Sequence, residues 1–321
     1  MQAGLLTSQG VMAVVEAPTP SVTGPGQVLV RNLVSTICGS DVHVVYDSPV
    51  TDTHRPGYPG HESVGVVVES SDPAFAVDDL VLAVPNLLHA GGFARYQLLP
   101  SSLVIPLPPG TDPATAVLAQ QLGTTIFAMK RFWTGPGEGT AVVLGAGPVG
   151  LCFTWLCRSA GFEHVIVADL HPHRLEVATA MGATRVVLAE GDAVVDAVQQ
   201  VAPDGARLVV EAAGKNVTRV QAVHCVAVDG RIGMFGMPEG AEMTLPFEAL
   251  FRRKPTVEFC WDAQAEPAHP SFREAWEAIR TGRIDPTPLL PRLFPLVELP
   301  EALEAARTAV PGHVKFGIRF D

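Results

Sequence analysis

The stretch Ala141-Val142-Val143-Leu144-Gly145-Ala146-Gly147-Pro148-Val149-Gly150 decides the fold. A short apolar run ends at Leu144, a glycine-rich turn follows, and a helix-like segment then extends to about residue 160. The first glycine permits the tight turn, the second lets backbone approach a pyrophosphate, and the third permits close helix–strand packing. Pro148 suits the first helical turn, where its missing amide is no loss. Free N–H groups and the helix dipole favour an anion at that end. Gly145, Gly147, Pro148, Val149 and Gly150 are therefore the candidate contacts to a dinucleotide. Asp169 stands nineteen residues after Gly150, at the end of the next apolar run. A carboxylate there accepts hydrogen bonds from the adenosine ribose hydroxyls and repels a 2′-phosphate, which favours NAD over NADP. Arg174, with His171 and His173 beside it, is the counter-signal.

Working outward, apolar strands alternate with helix-length segments between residues 140 and 236, the pattern of βαβ units around a parallel sheet. Strands are expected at residues 141–144, 165–168, 185–188, 208–211 and 232–235, with helix stops at Gly161 and Gly182, where glycine best accepts a left-handed cap. Residues 1 to about 115 are rich in Gly, Pro and Val and hold short β-type runs such as 27–31 and 63–69, which reads as a β-rich domain. After Trp261 come an amphipathic helix over residues 272–280, a proline-rich passage, a helix over 300–309 and a strand over 314–320. The expected division is a doubly wound α/β Rossmann domain at residues 120–264 and a β-rich domain built from 1–119 and 265–321.

The 321 residues carry a formal net charge of -11, which argues against nucleic acid as a partner, since phosphate-backbone binding needs clustered Lys and Arg. Hydrophobic residues make up 47% and charged residues only 17% of the chain, so the sequence excludes disorder and leaves apolar surface to be covered by another subunit. A homodimer or homotetramer is expected, with the segment 237–250 at the edge of the nucleotide domain as the contact. Met1 to Thr7 lack the pattern of a secretory signal, and no stretch is long and apolar enough to suggest a membrane span, so a cytoplasmic location is expected. The five cysteines form no Cys-x-x-Cys pair and read as reduced thiols.

A second constellation is Cys38-Gly39-Ser40-Asp41-Val42-His43, followed by Gly60-His61-Glu62-Ser63-Val64-Gly65. Taken singly, Cys38 reads as a buried thiol and His61 as a core histidine. Together with Gly92-Phe93-Ala94-Arg95-Tyr96, the turn at Gly145, and the segments 169–175, 211–214 and 229–236, the chain resembles the zinc-dependent medium-chain dehydrogenases, particularly their polyol and sugar branch.

The resemblance implies a GroES-like catalytic domain, one catalytic zinc and hydride transfer between an alcohol or carbonyl substrate and NAD. Cys38 and His61 carry over as metal ligands, and thiolate and imidazole are good zinc donors. Glu62 matches a glutamate that lies behind the metal or ligates it, and so enters as both a catalytic and a metal candidate. Gln120 takes the place of the third ligand, usually Cys or Glu in the family. A neutral amide there would leave the site more cationic, polarising an alcohol strongly while holding zinc less firmly; the third donor stays open between Gln120 and Glu62. Ser40 matches the family's hydroxyl relay, and His43 would pass the proton on to solvent. Asp41 reads as a turn cap or as a partner behind the ligands. Met234 and Phe235 would run past the nicotinamide, and Tyr46, Tyr58 and Asn86 fall near the ligand segments. Most such enzymes hold a second, structural zinc on four closely spaced cysteines, whereas residues 85–91 here contain none, so one zinc per chain is expected.

Two rival readings are a zinc-independent quinone or enoyl reductase of the same fold, against which Cys38, His61 and Glu62 speak, and a non-catalytic nucleotide-binding protein. The absent cysteine lobe and short loop suggest a pocket open to a polyol, cyclitol, sugar or bulkier secondary alcohol.

Overall fold

The computed structural model describes residues 1–48 and 55–321. The chain divides into two compact units, residues 1–123 with 264–321, and residues 124–263. The first unit opens with the hairpin β1 (Gln2–Ser8) and β2 (Val11–Glu16), then β3 (Gln27–Thr36), α1 (Gly39–Tyr46), β4 (Glu62–Ser70), β5 (Leu80–Ala83), β6 (Tyr96–Pro100), β7 (Val104–Pro106), α2 (Pro113–Ala116) and the start of α3 (Leu118–Phe132). The second unit continues from α3 with β8 (Thr140–Leu144), α4 (Pro148–Ala160), β9 (His164–Asp169), α5 (Pro172–Ala180), β10 (Arg185–Leu188), α6 (Ala193–Val201), β11 (Ala206–Glu211), α7 (Asn216–Cys225), β12 (Val226–Met234), α8 (Phe247–Arg253) and β13 (Thr256–Phe259). The chain then returns to the first unit through α9 (Pro270–Arg280), β14 (Arg292–Pro295), α10 (Leu299–Arg307) and β15 (Phe316–Arg319).

In the second unit six parallel strands lie in the order β10-β9-β8-β11-β12-β13. The order reverses between β8 and β11, and in such sheets the crevice beyond the strands' carboxyl ends at that switch point is where ligands bind. Every residue of β8 is buried, as expected for a strand covered on both faces. Its neighbours Ile166, Val209 and Ile232 join it in one core with Val194, Val198 and Val223 of the covering helices. Burying each such aliphatic side chain contributes about 1.5–3 kcal/mol. Helix α4 starts on Pro148 and stops at Gly161, whose φ of 104° is the left-handed cap expected there.

In the first unit a sheet runs β14-β15-β3-β4-β5-β7, with β6 also paired to β3. Three of its strands position the site. Strand β15 pairs antiparallel with β3 so that Gly317 faces Thr36, and β3 pairs antiparallel with β4 so that Thr36 faces Glu62. Helix α9 is amphipathic: Phe272, Ala275, Ala278 and Ile279 are buried at helical spacing. Among the described residues, no helix is long and apolar enough to cross a membrane.

Candidate metal centre and nucleotide site

Cys38 is the residue on which the chain leaves β3 and enters α1, in extended conformation (φ -94°, ψ 159°). Its amide donates to Asp41 Oδ2 at 2.8 Å, so the capping reading of Asp41 describes one of its oxygens. The other, Oδ1, lies 2.9 Å from His61 Nδ1. Asp41 is fully buried, and one carboxylate thus ties the Cys38 turn to the ring of His61. Nδ1 donates to the Pro59 carbonyl at 3.3 Å with the Asp41 carboxylate beside it as a charge partner, and this leaves Nε2 as the free donor atom, the arrangement in which a backbone carbonyl or carboxylate orients a metal-ligating histidine. Ser40 Oγ lies 3.5 Å from that Nε2. His43 sits further along α1, half-buried, with Nδ1 3.6 Å from Asp47 Oδ2.

Glu62, directly after His61, opens β4 and is buried. Its Oε2 accepts from Thr36 Oγ1 at 2.5 Å and from Lys315 Nζ at 2.6 Å. Lys315 immediately precedes β15 and is also buried. The β15-β3-β4 register brings these three side chains together. Burial alone would push the Glu62 carboxyl up, but the Lys315 ammonium and His61, with the Lys315 and Thr36 hydrogen bonds, hold it below its ordinary value. Burial would likewise lower Lys315, and Glu62, Cys38 and Asp41 raise it instead. For His61 burial is again outweighed, by the Asp41 carboxylate and by Cys38, so that it lies well above the ordinary histidine value.

Cys38, His61 and Glu62 each offer a donor atom within 4.8 Å of the others. Ligand bonds of roughly 2.0–2.3 Å to one zinc ion nearly span that spread. A thiol, an imidazole with its outer nitrogen fixed and a carboxylate, all at one end of the sheet, fit such an ion. Gln120 is buried in the first turn of α3. Because Glu62 Oε2 is held by both Thr36 and Lys315, recruiting that oxygen to a metal would compete with two existing bonds.

In the nucleotide site, Gly145 has φ 100°, which glycine adopts readily, and a Cβ on Gly150 would lie 1.8 Å from the Gly145 carbonyl oxygen. A Cβ on Gly147 would meet nothing within 4 Å, leaving the open approach that a pyrophosphate requires. Pro148 and Val149 form the first turn of α4. Asp169 ends β9, where its Oδ2 accepts from the Ala146 amide at 2.7 Å and its Oδ1 from the His171 amide at 2.9 Å. Its carboxylate therefore also holds the glycine-rich turn to the following helix. Arg174 Nη1 lies 3.8 Å from Asp169 Oδ2. Met234 ends β12, and Phe235 packs edge-on against Phe153 of α4 with ring centroids 5.2 Å apart.

Two features lie outside the site residues expected from the sequence. One is Lys315. The other is a buried pair in which Glu211 Oε1 accepts from the Ala213 and Gly214 amides and from Thr218 Oγ1, while Arg219 donates to the carbonyls of Gly236 and Met237. Their charged groups lie 3.7 Å apart, and they fix the loops leaving β11 and β12.

Residues 24–109 match the alcohol dehydrogenase GroES-like domain, and residues 148–281 match the zinc-binding dehydrogenase domain. The chain belongs to the zinc-type medium-chain dehydrogenases/reductases, a family of oxidoreductases, and comprises a GroES-like unit and a Rossmann unit. It is 26% identical over 350 aligned positions to an L-threonine 3-dehydrogenase of Bacillus subtilis (strain 168), covering 98% of this chain and 99% of the relative. Among solved structures it is similar to the alcohol dehydrogenase TADH from Thermus sp. ATN1 (TM-score 0.85, 25% identity, all of both chains covered). A protein from Sinorhizobium meliloti 1021 solved bound to NADP is also similar (TM-score 0.84, 25% identity, 99% of this chain and 98% of the other).

Proposed function

We propose that the chain is a zinc-dependent dehydrogenase that transfers a hydride between a secondary alcohol, of the polyol, cyclitol, sugar or bulkier class, and NAD. The observation that carries this reading is the convergence of Cys38, His61 and Glu62, backed by the buried Asp41 and Lys315. Zinc bound there would supply a Lewis acid that lowers the pKa of a substrate hydroxyl, and the nicotinamide would supply the hydride acceptor. The chain's own residues do the rest. Cys38 Sγ and His61 Nε2 would hold the ion, with Gln120 or Glu62 as third donor. The Pro59 carbonyl, with the Asp41 carboxylate beside it, fixes the His61 tautomer, so the ring presents the same nitrogen throughout. Lys315 keeps Glu62 charged while opposing part of that charge, which leaves the donor set more able to polarise an oxygen. The Ser40 hydroxyl is the first acceptor for the proton that leaves the substrate, and the half-buried His43 passes it to solvent.

NAD is favoured by the Asp169 carboxylate at the end of β9; Arg174 and the NADP-bound relative are the observations on the other side. The chain acts in the cytoplasm as a homodimer or homotetramer. Support for assembly comes from exposed aromatic side chains: Phe247 and Phe251 on α8, Phe259 at the end of the sheet-edge strand β13, and Trp261 just after it. Phe247 lies within the expected contact segment 237–250, and the other three aromatics follow it in the chain. The test is initial-rate kinetics with NAD and with NADP over polyols, cyclitols, aldoses, L-threonine and ethanol. A secondary alcohol with NAD as the best pair by kcat/KM supports the reading, and ethanol as the best substrate overturns the substrate class.

A further inference from the structure

The short loop after β5 is gathered around one side chain. Arg55 Nη2 donates to the carbonyls of Leu88 at 2.9 Å and Ala90 at 2.8 Å, and both terminal nitrogens reach Leu87 O at 3.3 Å. The guanidinium also lies over the Tyr58 ring, 4.8 Å from its centroid. Three carbonyl oxygens turned toward one point repel each other unless a cation sits among them. A planar guanidinium with several donors in a rigid fork meets them at once, where a lysine ammonium is a compact point charge. The loop is not held by burying its tip, since Leu88 is 78% exposed.

The loop's downstream end grips the segment that presents His61. The amides of Gly91 and Gly92 both donate to the Gly60 carbonyl, at 2.8 and 2.7 Å, and the Phe93 amide donates to Gly57 O at 3.0 Å. The contact is backbone against backbone with no slack. A Cβ on Gly57 would lie 2.3 Å from Gly91 O, and one on Gly60 would lie 2.7 Å from the Phe93 amide nitrogen. Gly60 is the residue before His61, so any shift of the loop moves the imidazole against Asp41.

We propose that Arg55 is a positioning residue for the metal centre: it organises residues 87–90 through their carbonyls and, through Gly91, Gly92 and Gly60, sets where His61 stands. Its zinc readout rests on the reading of Cys38 and His61 as ligands, and its exchange readout does not. The experiment compares the full chain with Arg55→Ala and Arg55→Lys. In the metal-free proteins, amide hydrogen exchange at Gly91 and Gly92 is expected to quicken about tenfold or more in both variants, with the β8 amides unchanged. In zinc-loaded proteins, release to a colorimetric chelator is expected to quicken about 10–100-fold, the usual cost of removing a group that orients a ligand. Millimolar methylguanidinium should restore slow release in Arg55→Ala and not in Arg55→Lys. Unchanged exchange and release overturn the proposal, as does faster exchange spread equally to β8, which would mark Arg55 as a contributor to global stability alone. If the wild-type chain holds no zinc, the ligand assignment fails and the exchange comparison alone decides the role of Arg55.

Discussion

Replacing Lys315 by methionine removes the ammonium that lies 2.6 Å from the buried Glu62 carboxylate while keeping most of the side-chain volume. Breaking a buried ion pair on one side typically costs about 3–5 kcal/mol. The structure supplies a ceiling as well, because Glu62 can escape by taking a proton. Holding neutral a carboxyl whose unfolded pKa is about 4.3 costs roughly 1.4 kcal/mol per pH unit, hence about 3.7 kcal/mol at pH 7 and about 1 kcal/mol at pH 5. In the wild type the Glu62 carboxyl is held down and Lys315 is raised, so the pair stays charged across that window. Lys315→Met is therefore expected to lose about 3–4 kcal/mol at pH 7, with the gap to wild type closing toward pH 5. Urea unfolding of the metal-free proteins at both pH values measures this. The double variant Glu62→Gln/Lys315→Met should recover most of the loss, since neither charge is left buried alone. A single variant within about 1 kcal/mol of wild type at pH 7, or a gap that widens as pH falls, would refute the reasoning.

Gln120→Glu should tighten zinc binding in competition with a chelator if Gln120 is the third donor, because a carboxylate adds charge at that position; an unchanged affinity would assign the donor to Glu62. Gly150→Ala places a Cβ 1.8 Å from the Gly145 carbonyl oxygen, and the strain of about 1–3 kcal/mol should appear as weakened NADH binding by fluorescence titration, with zinc content unaffected. His269 is buried at the start of α9, its Nε2 donating to Ser102 O at 2.9 Å, and burial lowers its pKa, helped by Arg273 and opposed by the Ser102 carbonyl and Glu266. The folded state thus takes up this proton less readily than the unfolded chain, so stability present above pH of about 6.5 is lost as pH falls below it. His269→Asn, which tolerates the φ of 51° at this position, should flatten the fall in Tm between pH 7.5 and 5.5, and an equally steep fall would count against that assignment.

The parallel sheet was legible because its signals are local: β8, its glycines and Pro148 are contiguous, and Asp169 follows at a fixed interval. Boundaries were less so. Strand β12 is expected from residue 232 but begins at Val226, because the chain carries Asp229 at φ 55° and the strand continues through a register shift that apolar patterning does not reveal. Strand β3 continues past Arg31 to Thr36, since the buried Asn32 amide is satisfied by the Gly92 and Ala94 carbonyls and does not end the strand. At the metal centre, Cys38 and His61 announce themselves by their flanking residues. Lys315 does not, because its partner Glu62 lies 253 positions away and only the β15-β3-β4 register brings them together. Arg55 is equally silent in sequence, as its partners are carbonyls, which every residue carries.

The most direct test of the central claim is zinc content by plasma mass spectrometry on wild type, Cys38→Ser and His61→Ala purified without chelator, with NADH fluorescence recorded on the same samples. The account predicts about one zinc per wild-type chain, none in either variant and NADH binding in all three. NADH binding by a wild-type chain that holds no zinc even after zinc is supplied would contradict it and make a zinc-independent reductase the leading reading.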